Sequence, residues 1–359
     1  MEMRDFGRLG RISALTLGGG GIAGVWGSTD RREAVATIHA ALDAGITMLD
    51  LAPSYGADFE AERAAGAALR SAGTAGSDVM ITSKVSLEDD DERDFAARIR
   101  RGLAASLDRI GRDHLDLFLL HTQIRVTGPH PHSIGPDGYR EAAAEFERLR
   151  EAGRIRAWGI TAVGHPDSVL AAFDGSLGPD AAHDGSPRPD AAHDGSPRAD
   201  AALDDGTRAE AALDGSPRPD AAQIVVNPLD FNGDLWFFPG ARPRTDDLIR
   251  CANENGVRVI GIRAVAAGSL TASLDRTLPA DHPAAVDFVR AEPFRELAAE
   301  LGTTPSALAH RYALTAAGVS TVVLGVKNRA ELAECLAAEA AGPLSQAEMD
   351  ALGALRSAL

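Results

Sequence analysis

Ile46-Thr47-Met48-Leu49-Asp50-Leu51-Ala52-Pro53-Ser54-Tyr55-Gly56 is the stretch on which the reading of this chain turns. Its apolar start has the length of a buried strand, the strand ends on an acid, Asp50, and a Pro/Ser/Gly turn then presents a phenol, Tyr55. Working outward, the next apolar run, Val79 to Lys84, ends on an ammonium group, and the run after it, Leu115 to His121, ends on an imidazole. Three successive strands thus carry proton-handling groups at the same end. In a parallel α/β barrel that is the end where the connecting loops converge and active sites are built.

The rest of the chain repeats the alternation. Ala14 to Gly18 reads as a first barrel strand, Asp30 to Ala44 as a helix capped by Asp30, and Phe59 to Arg70 as a second helix. Asp89 to Ile110 reads as a third helix, Tyr139 to Ala152 as a fourth, and Ile155 to Thr161 as the fifth strand. Strands are also expected at Ile224 to Val226, Val257 to Ile262 and Val319 to Leu324, and a short hairpin at Phe6 to Ser13. Strands and helices alternating at this spacing predict βαβ units and an α/β fold, a (β/α)8 TIM barrel, in one domain over 1–359.

Composition narrows the function classes. The 359 residues carry a formal net charge of −16, which speaks against nucleic acid and anionic membrane surfaces as partners. Two cysteines far apart, Cys251 and Cys335, predict no disulfide framework and a reducing compartment. The N-terminus lacks the pattern of a secretory signal, no run approaches a membrane span, and the expected location is cytoplasmic. His130 and His132, between Thr122 and Asp137, have no converging cysteine or acid partners, so no metal site is expected there. That segment reads as a loop over the barrel mouth that shapes substrate choice.

From Asp174 to Gln223 the chain is a tandem decapeptide: DGSLGPDAAH, DGSPRPDAAH, DGSPRADAAL, DDGTRAEAAL and DGSPRPDAAQ. Ten residues rich in Asp, Gly, Pro and Ala offer no apolar face to stack, so 174–222 is expected to be a disordered insertion between a helix and a strand.

The chain resembles an aldo-keto reductase of bacterial type. Leu49-Asp50, Ser54-Tyr55-Gly56, Ser83-Lys84 and Leu115-Asp116-Leu117 leading to His121 carry the likeness. Trp158-Gly159-Ile160-Thr161, Gln223 before Asn227-Pro228, and Val323-Leu324-Gly325-Val326-Lys327 extend it. The resemblance implies a barrel plugged at its bottom by the hairpin and a catalytic tetrad of Asp50, Tyr55, Lys84 and His121. It also implies a nicotinamide cofactor, NADP with NAD possible, held by Gly20, Gly21, Thr161, Gln223, Arg263, Gly268, Gly325, Lys327, Arg329 and Glu334. Trp26 is a candidate wall of the substrate pocket. Thr161-Ala162 stands where relatives commonly have Ser-Asn, and Cys335 where they have Asn.

The implied activity is NAD(P)H-dependent reduction of aldehydes and ketones to alcohols, with Tyr55 as general acid. Lys84, paired with Asp50, is expected to pull the Tyr55 pKa down, and His121 to orient the carbonyl oxygen. Two other readings are an aldose 1-dehydrogenase running in the opposite direction and a nucleotide-sensing regulatory subunit on the same fold.

Overall fold

The computed structural model describes residues 1–87, 94–125, 132–177, 216–232, 235 and 244–358. A hairpin opens the chain, β1 (Met3–Asp5) pairing antiparallel with β2 (Arg11–Ser13). Eight further strands close into a barrel: β3 (Leu15–Gly18), β4 (Met48–Asp50), β5 (Met80–Val85), β6 (Leu115–Leu120), then β9 (Ile155–Thr161), β10 (Ala221–Val225), β11 (Arg258–Ile262) and β12 (Val319–Leu324). Every pair in it is parallel, from β12 against β3 round to β10 against β11. The small strands β7 (Gln123–Ile124) and β8 (Ser133–Ile134) lie in the loop after β6. The fold is the eight-stranded α/β barrel that the alternation of elements predicts.

Side-chain alternation along the strands separates two cores. Leu49, Ile81, Phe118 and Trp158 face the helical layer and belong to the large outer core. There Phe146 and Trp158 stack at 5.5 Å, and Trp158 Nε1 donates to Glu147 Oε1 at 2.7 Å. Met48, Met80, Leu117, Leu119, Ala157, Ala221 and Ile260 form the second core together with Phe6, Leu9 and Ile12 of the hairpin. The hairpin therefore plugs the barrel.

The helices begin where their caps dictate. Asp30 accepts from the Glu33 amide and opens Arg31–Asp43, a cap worth about 1 kcal/mol. Asp94 accepts from the Ala97 amide and opens Phe95–Ile110, later than the expected Asp89; residues 88–93 lie outside the described residues. The second helix runs Glu60–Ala72 and the fourth Pro136–Glu151. The run of glycines after β3 forms one helical turn, Gly19–Ile22. No helix among the described residues is long and apolar enough to cross a membrane.

The ends of the repeat array are part of the fold. Asp174 completes the helix Pro166–Asp174, and the Ser216 amide donates to Gly175 O at 3.1 Å. The last three residues of the final copy, Ala221, Ala222 and Gln223, form the start of β10. Thus 174–177 and 216–222 are ordered, and the centre of the array, 178–215, lies outside the described residues.

Candidate active site

The same period of two builds the site. On β4 the inward Met48 belongs to the plug, so Asp50, two residues on, points inward above it. On β5 the inward Met80 puts Lys84 in the same phase; on β6 the inward Leu117 and Leu119 do so for His121. On β10 the inward Ala221 does so for Gln223. Each of these strands starts apolar and ends polar on one face, which collects the polar groups in one layer at the C-terminal mouth.

Lys84 is 1% exposed, and a charge so buried needs partners. Its Nζ donates to Asp50 Oδ1 and to the Leu51 carbonyl, both at 2.8 Å. The same Asp50 oxygen accepts Gln223 Nε2 at 2.8 Å, so the strand that follows the repeat array is tied to the ion pair. The Lys84 ammonium is 4.7 Å from the Tyr55 ring centroid, and His121 meets that ring edge-on at 6.2 Å between centroids. Thr161 Oγ1 donates to Gln223 Oε1 at 3.4 Å.

Charge states follow from burial and neighbours. Burial raises the Tyr55 hydroxyl above its ordinary value, and the Lys84 charge opposes the rise without cancelling it. Lys84 thus acts on Tyr55 in the expected downward direction, but burial outweighs it, the hydroxyl ends above its ordinary value, and the phenol keeps its proton. Burial works to lower Lys84, yet its attraction to Asp50 and Tyr55 overrides this and leaves it raised, hence charged. His121 is pushed down to about 3, first by burial and then by Lys84, and is a neutral imidazole at neutral pH.

A cavity of about 700 Å³ extends from this layer. Asp50, Tyr55, His121, Thr161 and Gln223 line one end, with Gly20, Trp26 and Arg263 beside them. It continues past Gly268 and Gly325 to Lys327, Glu331, Glu334 and Cys335. Arg263 sits at φ +57 with its guanidinium 5.0 Å from the Trp26 ring, and Arg276 approaches the same ring at 5.5 Å. Gly268, at φ +96, occupies the left-handed region that favours glycine.

Two expected cofactor residues stand apart from this cavity. A Cβ on Gly21 would lie 2.1 Å from the Val326 carbonyl oxygen, so its glycine serves backbone packing against the segment after β12. Arg329 turns to Glu33, its guanidinium meeting that carboxylate at 2.9 and 3.0 Å. The helix after β12 spans Arg329–Ala340 with Asn328 as its cap, so Gly325 and Lys327 precede it rather than open it. His130 lies outside the described residues, and His132 holds the Gln123 amide through its carbonyl oxygen. Among the described residues no three His, Cys, Asp or Glu side chains converge as metal ligands.

Several cavity residues escaped the sequence reading. Asp275, Arg276, Ser306 and His310 all line it. His310 Nδ1 meets the Ser306 carbonyl at 2.8 Å, and its Nε2 is 3.7 Å from Cys335 Sγ. Burial holds His310 below its usual range and, with Glu334 and Glu331 adding to it, pushes the Cys335 thiol up to about 12. No spacing in the sequence marks these residues, because each reaches the cavity only through barrel closure.

The fold agrees with what the chain is similar to. The Aldo/keto reductase family model matches residues 14–178 and 206–357, leaving out the middle of the repeat array. The aldo-keto reductase YhdN of Bacillus subtilis is 34% identical over 154 residues, 42% of this chain and 43% of that protein. L-galactose dehydrogenase of Arabidopsis thaliana is 26% identical over 166 residues, 45% of this chain and 48% of that protein. The chain thus spans about half the length of the curated relatives it matches. Among solved structures, the aldo-keto reductase AKR11C1 of Bacillus halodurans in its holo form has the same fold. Its TM-score is 0.67 at 20% identity, over 99% of this chain and 96% of that one.

Proposed function

The chain belongs to the aldo/keto reductase family, and on that premise we propose that it reduces aldehyde or ketone carbonyls to alcohols with a nicotinamide dinucleotide. The observation that carries this reading is the convergence of Asp50, Lys84, Tyr55 and His121 at one end of a cavity large enough for a dinucleotide and a small substrate. The residues suit such a cofactor. Gly20 and Gly325 let the flat Trp26 indole pack against the backbone beside the planar Arg263, and Thr161 and Gln223 offer hydroxyl and amide groups for a carboxamide. When bound, the nicotinamide supplies the hydride that reaches the carbonyl carbon.

The chain's own groups supply the rest. Tyr55, kept protonated by burial, is the acid that gives its proton to the carbonyl oxygen. Lys84 stands against the tyrosinate so formed, and its charge is of use only once that anion develops. Asp50 holds Lys84 in place, and Gln223 holds Asp50. His121, being neutral, donates a hydrogen bond to the carbonyl oxygen without adding a second charge beside Lys84.

Lys327 and Arg329 are the cations that would favour NADP(H). Arg329 is engaged by Glu33, so the case for the phosphorylated nucleotide rests on Lys327. A second reading, oxidation of a sugar at its anomeric carbon, is favoured by the likeness to L-galactose dehydrogenase. The free thiols Cys251 and Cys335 suit a reducing cytoplasm.

The test is turnover against a panel of aldehydes, ketones and aldoses, followed by the near-ultraviolet absorbance of the reduced nicotinamide. Tyr55→Phe is expected to lower reduction by roughly 10²–10⁴-fold and to leave nucleotide binding nearly unchanged. Wild-type turnover in that variant would remove Tyr55 from the chemistry. A panel without any turnover, despite nucleotide binding, would favour the nucleotide-sensing reading.

A further inference from the structure

The far end of the cavity, past Gly325, holds Lys327, on which the case for a phosphorylated nucleotide rests, and its hydrogen bonds are already committed. Lys327 Nζ donates to Glu331 Oε1 at 2.7 Å and to Asp275 Oδ2 at 2.5 Å. The Lys327 amide donates to the other Glu331 oxygen at 2.9 Å. The Glu331 amide donates to Asn328 Oδ1 at 3.0 Å, and the Arg329 amide to Glu33 Oε1 at 3.1 Å. The amides and cations that would grip an anion at this helix start are thus satisfied by the chain's own side chains. Arg276 adds a cation, but it shares Asp275 at 3.6 Å and donates to the Ala267 carbonyl at 2.9 Å.

Charge strengthens the point. Lys327, Arg329 and Arg276 face Asp275, Glu331, Glu33 and Glu334, so carboxylates outnumber cations here. A ribose phosphate brings up to two further negative charges and has to displace Glu331 or Asp275 from Lys327 before it gains a contact. An unphosphorylated ribose asks for none of this. Its vicinal hydroxyls donate, and Glu331 is an acceptor already held in the cavity wall by the Lys327 amide.

We infer that Glu331, supported by Asp275, selects a nucleotide with a free 2′-hydroxyl, so that this chain works with NAD(H) in preference to NADP(H). The discrimination is repulsive: Glu331 binds the hydroxyl moderately and rejects the phosphate strongly. Asp275 acts through Lys327, occupying the ammonium that would otherwise meet the phosphate. The inference rests on the proposed dinucleotide cleft and adds the identity of the nucleotide.

The experiment measures dissociation constants of NADH and NADPH by fluorescence titration for the full-length wild type, Glu331→Gln, Asp275→Asn and the double variant. The ratio of kcat/KM with the two nucleotides is read in parallel. Wild type is expected to bind NADH at least about tenfold more tightly. Glu331→Gln is expected to shift the ratio towards NADPH by about tenfold, chiefly by tightening NADPH, and Asp275→Asn to shift it the same way by less. Because Gln and Asn keep the shape, unfolding is not the confounder; circular dichroism of each variant verifies this. Tighter NADPH binding by the wild type, or a ratio unmoved in the double variant, would overturn the inference and leave the reductase reading standing. Failure of both nucleotides to bind would sink the cleft itself and both conclusions with it.

Discussion

His121 shows how little of a residue's chemistry lies in its identity. Its pKa, pushed down to about 3 from 6.5, comes mainly from burial, so the ring takes no proton near neutrality. The sign for stability follows. Between about 3 and 6.5 the unfolded chain binds a proton at this position and the folded chain does not, so the contribution of His121 is present above the unfolded value and is lost as pH falls through that window. Nitrogen NMR of labelled protein is expected to show the neutral ring of His121 from pH 8 down to about pH 5. Unfolding curves are expected to lose less stability between pH 7 and pH 5 in His121→Asn than in the wild type. An imidazolium signal already at pH 6 would contradict the burial argument. Tyr55 teaches the same lesson: its place beside Lys84 was legible from strand spacing, whereas the direction of its shift depends on how much water the closed barrel removes, which spacing does not encode.

At the scale of elements, the strands were the most legible, because a strand that is apolar for four residues and polar at its end has only one way to sit in a barrel. Ile155 to Thr161 and Val319 to Leu324 have the expected bounds. Helix starts were less so where several acids compete for the cap, as between Asp89 and Asp94. The helical turn of glycines after β3 has no signal in the sequence because propensity argues against glycine in helices, while here a buried turn packs without side chains against Val326. The repeat array is an element of the same kind, an insertion whose two ends meet. Besides the Gly175 contact, Ser216 Oγ donates to the Leu177 carbonyl at 3.0 Å, so the residues on either side of 178–215 are already neighbours. Closing so short a gap costs little, and a long insertion adds only logarithmically to the entropy of the open chain. Deletion of 178–215 is therefore expected to leave turnover and Tm close to those of the full chain. Turnover lost in a deletion variant of unchanged Tm and circular dichroism would show that the array takes part in function.

For the whole molecule, closure of the sheet converts sequence distance into contact. Gln223 reaches Asp50 across 173 residues and Arg329 reaches Glu33 across 296, and neither pairing has any signature along the chain. That is why the polar layer at the mouth, set by local alternation, was legible along the chain, whereas at the far end Gly268, Gly325, Lys327 and Glu334 came only from the resemblance and Asp275, Arg276 and His310 had no signal at all. A third core, of Leu229, Phe231, Leu270, Phe294, Leu308 and Leu352, braces the loop after β11 that carries Arg263 and Gly268, so the mouth is held by the C-terminal helix as well as by the strands. As proposed, this mouth brings a carbonyl carbon and a nicotinamide together for direct hydride transfer. The most direct measurement supplies reduced nucleotide carrying deuterium at the nicotinamide C4 and looks by mass spectrometry at the alcohol formed from a reactive aldehyde. Deuterium is expected on the carbinol carbon in wild type, with almost no alcohol from Tyr55→Phe. Alcohol formed without the label, or no alcohol from any carbonyl while the nucleotide stays bound, would contradict it.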